Sequence, residues 1–386
     1  MGGAPGAWQV GFEFLLSAFG VAYVAGLWWF TRGIRLQVPA GQGQPQVSVV
    51  VAARNEEGRI GGLLEDLSRQ TYPAARWEVV IVDDGSVDHT PAQVLAACLP
   101  NLTLIQSTGA GKKEALTQGI AAARGELILT TDADCRVPPG WVGGMAAGFG
   151  PGVEMVVGFS QIGRAGEIRG WREGLEALDF LHLMGAALGS ASQGGALAAS
   201  GQNLSYRAEV FARVGGYALV ADRASGDDVL LLQMVRKLGT GQIRFATDPA
   251  AHVVHPPAPC WTALLGQRVR WASNAPYQFL LNRGFFAYIA GVFGANLLLA
   301  LGPMLVLMGW AGAGVVGAAW LGKALAESLL CWRATAFFGR QDLRRFFPAW
   351  ALGQPFYLVL VGLLGVLGRF SWKGRAHRWG GKALRP

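Results

Sequence analysis

The chain has 386 residues, of which 52% are hydrophobic and 15% are charged, and its formal net charge is +8. This composition excludes an ordinary soluble enzyme, because soluble domains carry about 25% charged residues. The positive charge does not indicate nucleic-acid binding, since the basic residues lie beside long apolar runs, as at the cytosolic ends of membrane segments. These basic residues are Arg32, Arg35, Arg333, Arg340, Arg344, Arg345, Lys373, Arg375, Arg378 and Lys382.

The first apolar run covers residues 11–30 and is long enough to span a bilayer. Trp28 and Arg32 at its end are typical of a cytosolic membrane interface. A cleaved signal peptide is the alternative, but no basic residue precedes the run and no small-residue cleavage site follows it before Trp28. We therefore interpret residues 1–36 as an N-terminal transmembrane anchor and residues 37–46 as a linker.

From residue 47 onward, short β-branched runs alternate with segments of helical periodicity. This alternation predicts an α/β domain with a doubly wound parallel sheet over residues 47–282. Ligands of such sheets bind at the carboxyl ends of the strands. The polar residues that fall at those ends are Arg54, Asp83, Asp84, Asp132 and Asp134.

Asp132 and Asp134 directly follow an apolar strand and point the same way, because strand side chains repeat every second residue. Two carboxylates suit Mg²⁺ or Mn²⁺, which take oxygen ligands and are commonly shared with substrate phosphates. A solvated turn is the alternative for this pair. The four cysteines have no CxxC spacing, so they indicate neither a zinc site nor a disulfide framework.

Seven motifs stand in the order and approximate spacing of one known family. They are VSVVVAARNEE, VDDGSVDHT, GKKEAL, TTDADC, SGQNLSYR followed by VGGY, SGDD, and QRVRW, within residues 47–273. This set resembles the family 2 glycosyltransferases, specifically the membrane-embedded QxxRW branch that includes cellulose and hyaluronan synthases and ceramide glucosyltransferase. The resemblance implies a GT-A-like catalytic domain flanked by transmembrane helices.

The resemblance implies a site for a UDP-sugar and a divalent cation. Asp83 and Asp84 match the motif that holds uracil and ribose, and Asp132 and Asp134 match the DxD motif, which binds the diphosphate through Mg²⁺ or Mn²⁺. The metal neutralises charge on the leaving UDP. The remaining positions implied to contact the nucleotide sugar are Ala53, Arg54, Glu56, Lys112, Gln267, Arg270 and Trp271.

The resemblance also implies the catalytic base and the acceptor side. Asp228 in SGDD is the first choice for the base, and Asp227 is the second. The residues after Asp228 have helical spacing, so the two aspartates also fit a helix N-terminus. This structural interpretation is compatible with either aspartate being the base. The positions implied to line the acceptor side are Gln202, Asn203, Arg207 and Trp271.

Three departures from the family pattern bear on function. Thr117 stands where the family usually has asparagine, which weakens the role of Lys112, and Asp227 replaces a commoner glutamate. The sequence after Trp271 lacks the glycine pair of many polysaccharide synthases, which disfavours polymer synthesis. His252 and His255 are interpreted as structural histidines, because no partners for a metal or catalytic role are evident.

Three further apolar stretches, near residues 285–309, 311–332 and 349–370, predict C-terminal transmembrane segments within 283–370. Three simple crossings would place the basic tail, 371–386, outside, against the positive-inside rule. A hairpin around Gln354 and Pro355 is therefore predicted to return the tail to the cytosol, with a simple third crossing as the alternative. The segment 168–188 predicts an amphipathic helix that lies on the membrane surface or faces the core.

The sequence thus predicts an integral protein of the plasma (inner) membrane with a cytosolic catalytic domain. The expected reaction is metal-dependent, inverting transfer from a UDP-sugar to a lipid acceptor in contact with membrane lipids, without nucleic acid. A processive polysaccharide synthase acting on a glycan is the first alternative. A non-catalytic membrane protein that binds nucleotide sugar is the second, and the combination of Asp134, Asp228 and Arg270 speaks against it.

Overall fold

A computed structural model describes residues 6–41, 43–221, 223 and 225–367, together with the backbone of 369–372, 375–378 and 382–383. The strands are β1 Val47–Ala53, β2 Trp77–Asp83, β3 Leu102–Gln106, β4 Leu127–Thr130, β5 Val153–Gly158, β6 Ser160–Ile162, β7 Leu204–Arg207, β8 Gln242–Ala246, β9 Val253–His255, β10 Arg369–Trp372, β11 Arg375–Arg378 and β12 Lys382–Ala383. The helices are α1 Ala7–Gly33, α2 Ile60–Ser68, α3 Thr90–Ala96, α4 Lys112–Ala122, α5 Trp141–Ala146, α6 Trp171–Ala191, α7 Ala208–Arg213, α8 Val229–Leu238, α9 Trp261–Ala272, α10 Ala275–Leu281, α11 Arg283–Leu307, α12 Ala313–Phe337 and α13 Phe347–Leu367.

The central sheet has seven strands in the order β3-β2-β1-β4-β7-β5-β8. All of its pairings are parallel except those of β7, which runs antiparallel to both β4 and β5. Helices pack on both faces. The predicted α/β fold with a parallel-dominated sheet is confirmed, and the antiparallel strand β7 is the departure from the all-parallel pattern.

The β-branched run of β1 explains its central place in the sheet. Successive strand side chains point to opposite faces, so Val49 and Val51 enter one core with helix α2, while Val50 enters the other with helix α4. All three valines are fully buried. Burial on both faces stabilises a strand only when helices cover both sides, which is the arrangement that the alternating sequence predicts.

The carboxyl ends of the parallel strands meet at one edge of the sheet. Ala53 at the end of β1 pairs with Asp83 at the end of β2, and β4 ends at Thr130 beside them. Because β7 is antiparallel, its first residue, Leu204, lies at this edge, opposite Thr130. The segment that leads into β7 therefore joins the same edge.

Within the described residues, four helical segments are long and apolar enough to cross a membrane, namely α1, α11, α12 and residues 341–367 with α13. Their positions agree with the apolar runs of the sequence. The predicted hairpin around Gln354 and Pro355 is wrong, because α13 continues through both residues as one helix. A proline inside a helix removes one hydrogen bond, and the neighbouring apolar packing preserves the helix here.

Helix α13 runs along the sheet domain and contacts it near both ends. Trp350 in its first turn donates a hydrogen bond from Nε1 to Asp179 of α6, at 3.2 Å. Gly365 near its end packs so closely on α9 that an added Cβ would lie 2.7 Å from Ala272. The predicted basic tail, 371–386, has side chains that lie outside the described residues.

Two segments connect the sheet domain to the long apolar helices. The predicted linker, 37–46, is bound to the domain, since the amide of Gln37 donates to Thr247 at 3.1 Å and the amide of Ala40 donates to Ala147 at 2.9 Å. Helix α6 is largely buried between the sheet and helices α1 and α12. The core-facing alternative for this helix is therefore the one observed.

Candidate active site

A polar cavity of about 520 Å³ lies at the carboxyl edge of the sheet. The strand ends, the start of α4, the segment before α8 and one face of α9 form its walls. It contains eleven of the residues singled out in the sequence: Ala53, Arg54, Glu56, Asp84, Lys112, Asp132, Asp134, Gln202, Asp227, Gln267 and Arg270. The fold thus brings together residues that are more than 200 positions apart in the chain.

The two aspartates that end β2 have different surroundings. Asp84 faces the cavity, where its carboxylate accepts a hydrogen bond from the Gly111 amide at 2.7 Å and lies 3.8 Å from the Arg54 guanidinium. Asp83 is buried, and it accepts from Gln106 and from the Ser86 amide. Asp84 can therefore contact a ligand directly, whereas Asp83 stabilises the turn that follows β2.

Lys112 links two acidic motifs across the cavity. Its ammonium lies 2.7 Å from an Asp132 carboxylate oxygen and 2.6 Å from one of Asp227. Burial opposes the charged form of Lys112, but the two carboxylates raise its pKa above the ordinary value. Burial would raise the pKa of Asp227, but Lys112 lowers it overall. Asp227 is thus ionised at neutral pH, and the Lys112 ammonium holds both carboxylates in place.

Asp134 lies in an acidic corner of the cavity. Burial, together with the charges of Asp132 and Glu56, raises its pKa to about 6, although Arg59 lies 3.8 Å away. Among the described residues, no group of three or more His, Cys, Asp or Glu side chains is arranged to hold a metal alone. The two carboxylates of the DxD segment fit a divalent cation that takes its other oxygen ligands from a bound diphosphate and water.

Asp228 caps the amino end of α8. Its carboxylate accepts hydrogen bonds from the Val229 amide at 2.6 Å and the Gly201 amide at 3.1 Å. Burial and the neighbouring charge of Asp227 raise its pKa to about 6. Gly226 supplies the turn into this helix with φ of +92°, a conformation that other residues rarely adopt. The side chain is therefore rigidly held and has a pKa suited to accepting a proton near neutral pH.

Helix α9 presents two different faces. Gln267 and Arg270 are three positions apart and both line the polar cavity. Burial lowers the pKa of Arg270, and the carboxylates of Asp227, Asp228 and Asp132 act in the opposite direction. Trp271 does not line the cavity; its ring packs against Phe180 and under the guanidinium of Arg268 at 4.3 Å.

Two further residues predicted on the acceptor side, besides Trp271, also lie outside the cavity. Asn203 is fully buried, and its side-chain amide bonds Trp141, Phe159 and Ala251, so it holds the core together. Arg207 ends β7 at the opposite edge of the sheet, where it donates to the Val153 carbonyl. The motif SGQNLSYR crosses the sheet as an antiparallel strand, so only its first residues reach the cavity.

The cavity also contains residues that the sequence did not single out as site residues. Arg59 directly precedes α2 and contacts Glu56 and Asp134. His255 lines the cavity but is 6% exposed, and burial lowers its pKa to about 4, so it is neutral. His252 packs against the rings of Phe159 and Phe338, as expected for a structural histidine. Arg59 belongs to the sequence RNEEGR. The acidic residues of this sequence were the only feature that could have indicated a cation at the site.

Residues 48–215 match the family model described as Glycosyl transferase family 2. This segment is a family 2 glycosyltransferase domain. It contains the strand ends, the DxD segment and Gln202, whereas Asp227, Asp228 and helix α9 follow it in the chain.

Relatives of the glycosyltransferase domain include enzymes named for lipid acceptors. The chain is 40% identical over 99 residues to beta-monoglucosyldiacylglycerol synthase of Synechocystis sp., a match that covers 24% of this chain and 21% of that protein. It is 35% identical over 102 residues to human dolichyl-phosphate beta-glucosyltransferase, covering 23% and 31%. The matched segments thus span less than a third of the length of either relative.

One solved structure shares the fold over nearly the whole chain. Mannosyltransferase PcManGT from Pyrobaculum calidifontis, in complex with GDP-Man and Mn²⁺, superposes with a TM-score of 0.57 at 21% identity. The match covers 92% of this chain and 98% of that one. At this identity the likeness shows the fold, a GT-A-like α/β domain with associated helices.

A second, apolar chamber of about 690 Å³ lies between the glycosyltransferase domain and the long apolar helices. Side chains of α1, α6, α9, α11 and α13 line it, and most of them are aliphatic or aromatic. Leu363 and Leu367 of α13 line the chamber and are also exposed on the outer, apolar surface. The chamber is therefore bordered by the surface that would face lipid.

The polar cavity and the apolar chamber share two walls. On α9, Gln267 and Arg270 face the cavity, while Arg268 and Ala272 face the chamber. In the segment 197–202, Leu197 lines the chamber and Gln202 lines the cavity. The amide of Gly201 in this segment also binds Asp228. Helix α9 and the segment 197–202 therefore lie between the chamber and the polar cavity, and this segment is hydrogen-bonded to Asp228.

Proposed function

We propose that the protein is an inverting membrane glycosyltransferase that moves a sugar from a UDP-sugar to a membrane lipid. The observation that carries this proposal is the pair of cavities that share α9 and the segment 197–202. One cavity is polar and rich in carboxylates and cations, and the other is apolar and bordered by a membrane-facing surface. A soluble acceptor has no use for the second cavity.

In the proposed reaction, Asp228 takes the proton of an acceptor hydroxyl as that oxygen attacks the anomeric carbon. The new carbon–oxygen bond forms on one face while the bond to the diphosphate breaks on the other, and UDP leaves with the bonding electrons. Direct displacement by a single nucleophile inverts the anomeric configuration. A raised pKa of about 6 leaves Asp228 mostly ionised at neutral pH and still basic enough to accept the proton.

Asp132 and Asp134 would hold Mg²⁺ or Mn²⁺, and this ion would neutralise charge on the diphosphate of the leaving UDP. The chemistry of the corner supports this assignment, because burial and the neighbouring charges of Asp132 and Glu56 raise the pKa of Asp134, and a bound cation would offset both effects. Arg270 and Gln267 are placed to bind the same diphosphate, as in the QxxRW branch. Arg54 and Asp84 would contact the nucleoside.

The distribution of arginines supports a cytosolic position for the domain in an inner, or plasma, membrane. Arg32 ends α1, Arg283 begins α11, and Arg333 lies in the last turns of α12. Each therefore lies where a membrane-spanning helix meets the domain. Arginine at one end of successive spans favours retention of that end in the cytosol.

The proposal is tested with purified protein in lipid nanodiscs that contain Mn²⁺ and a panel of UDP-sugars. Mass spectrometry follows both the lipids and any water-soluble glycan. The expected product is a lipid that gains one or two sugar masses, with formation abolished in Asp228→Asn and retained in Glu209→Gln. Glu209 is an exposed carboxylate on α7, remote from both cavities.

The alternatives give different results in the same assay. A ladder of long oligosaccharides with unmodified lipids would establish a polysaccharide synthase and refute the lipid acceptor. UDP-sugar binding without turnover on any lipid or glycan would establish a non-catalytic binding protein. Departures after Trp271 from the polysaccharide synthases favour the lipid product.

A further inference from the structure

Helix α13 contacts the sheet domain from one end to the other. Trp350 in its first turn donates to Asp179 of α6 at 3.2 Å. Tyr357 in its middle lies beside Arg268 of α9, and Gly365 near its end packs against the same helix. Spacings of seven and eight residues place these three positions of α13 on one side of the helix. This side is therefore held against the domain along the whole helix.

Helices α6 and α9 both lie at one end of the other three long apolar helices. Gly185 and Gly189 of α6 pack against the last turns of α12 and α1, respectively. Helix α9 leads through α10 directly into the start of α11. The elements that hold α13 thus lie where α1 and α12 end and where α11 begins.

The opposite ends of those three helices form a separate hydrophobic core. Its buried members come from α1, α11 and the region where α12 starts: Leu16, Leu299, Ala311 and Val316. The Gly312 amide donates to Glu13 at 2.7 Å and joins the same ends. Helix α13 has 21 residues and is about 31 Å long, which is enough to cross a bilayer. Among the described residues, however, this distant core contains none from α13 or from the sheet domain.

The side of α13 that faces away from the domain is apolar throughout. The helix has no charged residue, and its exposed large side chains are Leu352, Phe356, Leu360, Leu363, Leu364 and Leu367. The Phe356 ring lies 6.2 Å from the Trp320 ring of α12, so this side continues into the outer apolar surface of α12. Removing one leucine side chain from water contributes about 1.5–3 kcal/mol, so a surface of this kind favours an apolar solvent.

The apolar chamber is confined to the part of the long helices next to the domain. Its lining residues on α1, α11 and α12 lie within 23–30, 285–293 and 327–330. On α11 the lining ends about 15 Å from the start of the helix, which is about half of a 30 Å hydrocarbon layer. Leu363 and Leu367 of α13 border both the chamber and the outer surface. The chamber and α13 therefore share one half of the apolar layer.

We infer that α13 is embedded in the leaflet next to the sheet domain and does not cross the bilayer. Its outer side contacts the acyl chains of this leaflet, and the basic tail, 371–386, lies on the same side of the membrane as the domain. Only α1, α11 and α12 of the described helices then cross. The tail reaches the side that the positive-inside rule favours through one continuous helix, without a hairpin.

The same arrangement gives the chamber an opening toward lipid. The seam between the end of α13 and the first turns of α11 faces the leaflet next to the domain. A lipid of that leaflet enters the chamber sideways, without leaving the apolar layer. For the acceptor, this route rests on the proposed lipid glycosyltransferase activity, whereas the position of α13 does not.

The side of the tail is tested by cysteine labelling of the full chain in intact cells. The exposed native cysteines, Cys98 and Cys260, are first replaced by serine. Single cysteines are then introduced by Ala383→Cys in the tail, Glu209→Cys in the domain and Met308→Cys at the far end of α11. With a membrane-impermeant maleimide, Ala383→Cys should follow Glu209→Cys and react only after permeabilisation, whereas Met308→Cys should react in intact cells. A tail cysteine that reacts together with Met308→Cys would show that α13 crosses and would overturn the inference.

The leaflet is tested with the protein in liposomes and a phosphatidylcholine that carries a diazirine in its acyl chain. This photolipid is loaded into one leaflet at a time. From the leaflet next to the domain it should crosslink to peptides of α13 and α6, and from the opposite leaflet it should label the far ends of α11 and α12 instead. Equal labelling of α13 from both leaflets would also overturn the inference.

One variant separates the chamber from the outer side of α13. Ala186 of α6 lines the chamber, so Ala186→Trp should largely lose the labelling of α6 while the labelling of α13 is unchanged. Ala92→Trp, at an exposed position on α3, is the matched control and should label like the parent. Labelling of α6 that persists in Ala186→Trp, or that arises from the opposite leaflet, would refute the route into the chamber. Absence of sugar transfer in a protein that labels as expected refutes the proposed activity and retains the position of α13.

Discussion

Replacement of Asp228 tests the assignment of the catalytic base most directly. Asp228→Asn retains one side-chain oxygen, which can accept from the Val229 amide at 2.6 Å, so the cap of α8 should stay in place, whereas the hydrogen bond from the Gly201 amide to the second carboxylate oxygen, at 3.1 Å, is lost. The amide cannot accept the acceptor proton. A positioned general base contributes about 10²–10⁴ in rate, so kcat should fall by roughly this factor while UDP binding is unchanged.

The pH dependence gives the same assignment a second test. Burial and the charge of Asp227 raise the pKa of Asp228 to about 6, and the base must be ionised to act. The rate of the parent should therefore rise with pH and level off above about 6; at pH 5 it should be roughly a tenth of the plateau. The residual activity of Asp228→Asn should not show this dependence on pH.

Asp227→Asn is the informative comparison, because Asp227 lines the polar cavity whereas Asp228 does not. Asp227 lies 2.6 Å from Lys112, which lowers its pKa and makes it a weak base. We expect this variant mainly to raise KM for the donor, through a less restrained Lys112. The assay is the initial rate of lipid glycosylation in nanodiscs between pH 5 and 9, with Glu209→Gln as the charge-matched control. If Asp227→Asn abolishes turnover and its pH dependence while Asp228→Asn keeps kcat within about tenfold of the parent, the base is Asp227.

Three further outcomes are expected. Asp134→Asn should weaken Mn²⁺-dependent binding of the donor at least tenfold by calorimetry, and chelation of the metal should abolish turnover in the parent; equal donor affinity with and without metal would contradict the metal site. Ala186→Trp fills part of the apolar chamber and should raise KM for the lipid about tenfold while leaving donor affinity unchanged; unaltered lipid kinetics would place the acceptor elsewhere. Gly226→Ala should destabilise the protein by about 1–3 kcal/mol in thermal unfolding, because φ is +92° and the new Cβ would lie 2.5 Å from Leu230; a stability equal to the parent would show that this turn can relax.

The sheet domain and the DxD segment follow from local sequence patterns. Buried β-branched runs such as 47–53 predict strands, and polar residues at their ends predict a site, since parallel strands of one sheet share an edge. The family resemblance added residues that lie far apart, among them Lys112 and Arg270. Their meeting in one cavity is a property of the sheet order.

The residues that lie elsewhere than predicted are those whose side-chain orientation depends on which helices and strands pack together. Asn203 and Arg207 share a motif with Gln202, but an antiparallel strand carries them into the core and to the far edge of the sheet. The basic tail suggested a hairpin around Gln354 and Pro355, since the positive-inside rule favours a cytosolic tail. Packing along α6, α9 and α11 instead keeps α13 continuous.

The sequence by itself determined the composition of the molecule: one α/β domain, apolar helices on both sides of it, and a set of carboxylates and cations suited to a nucleotide sugar. Periodicity is a local property, and it can therefore be read without knowing which elements touch. Only the tertiary structure decided that α9 divides a polar cavity from an apolar chamber, and that His182 of α6 stacks on Trp350 of α13 in the wall of that chamber. Such contacts join residues more than 160 positions apart, and no local sequence pattern predicts them.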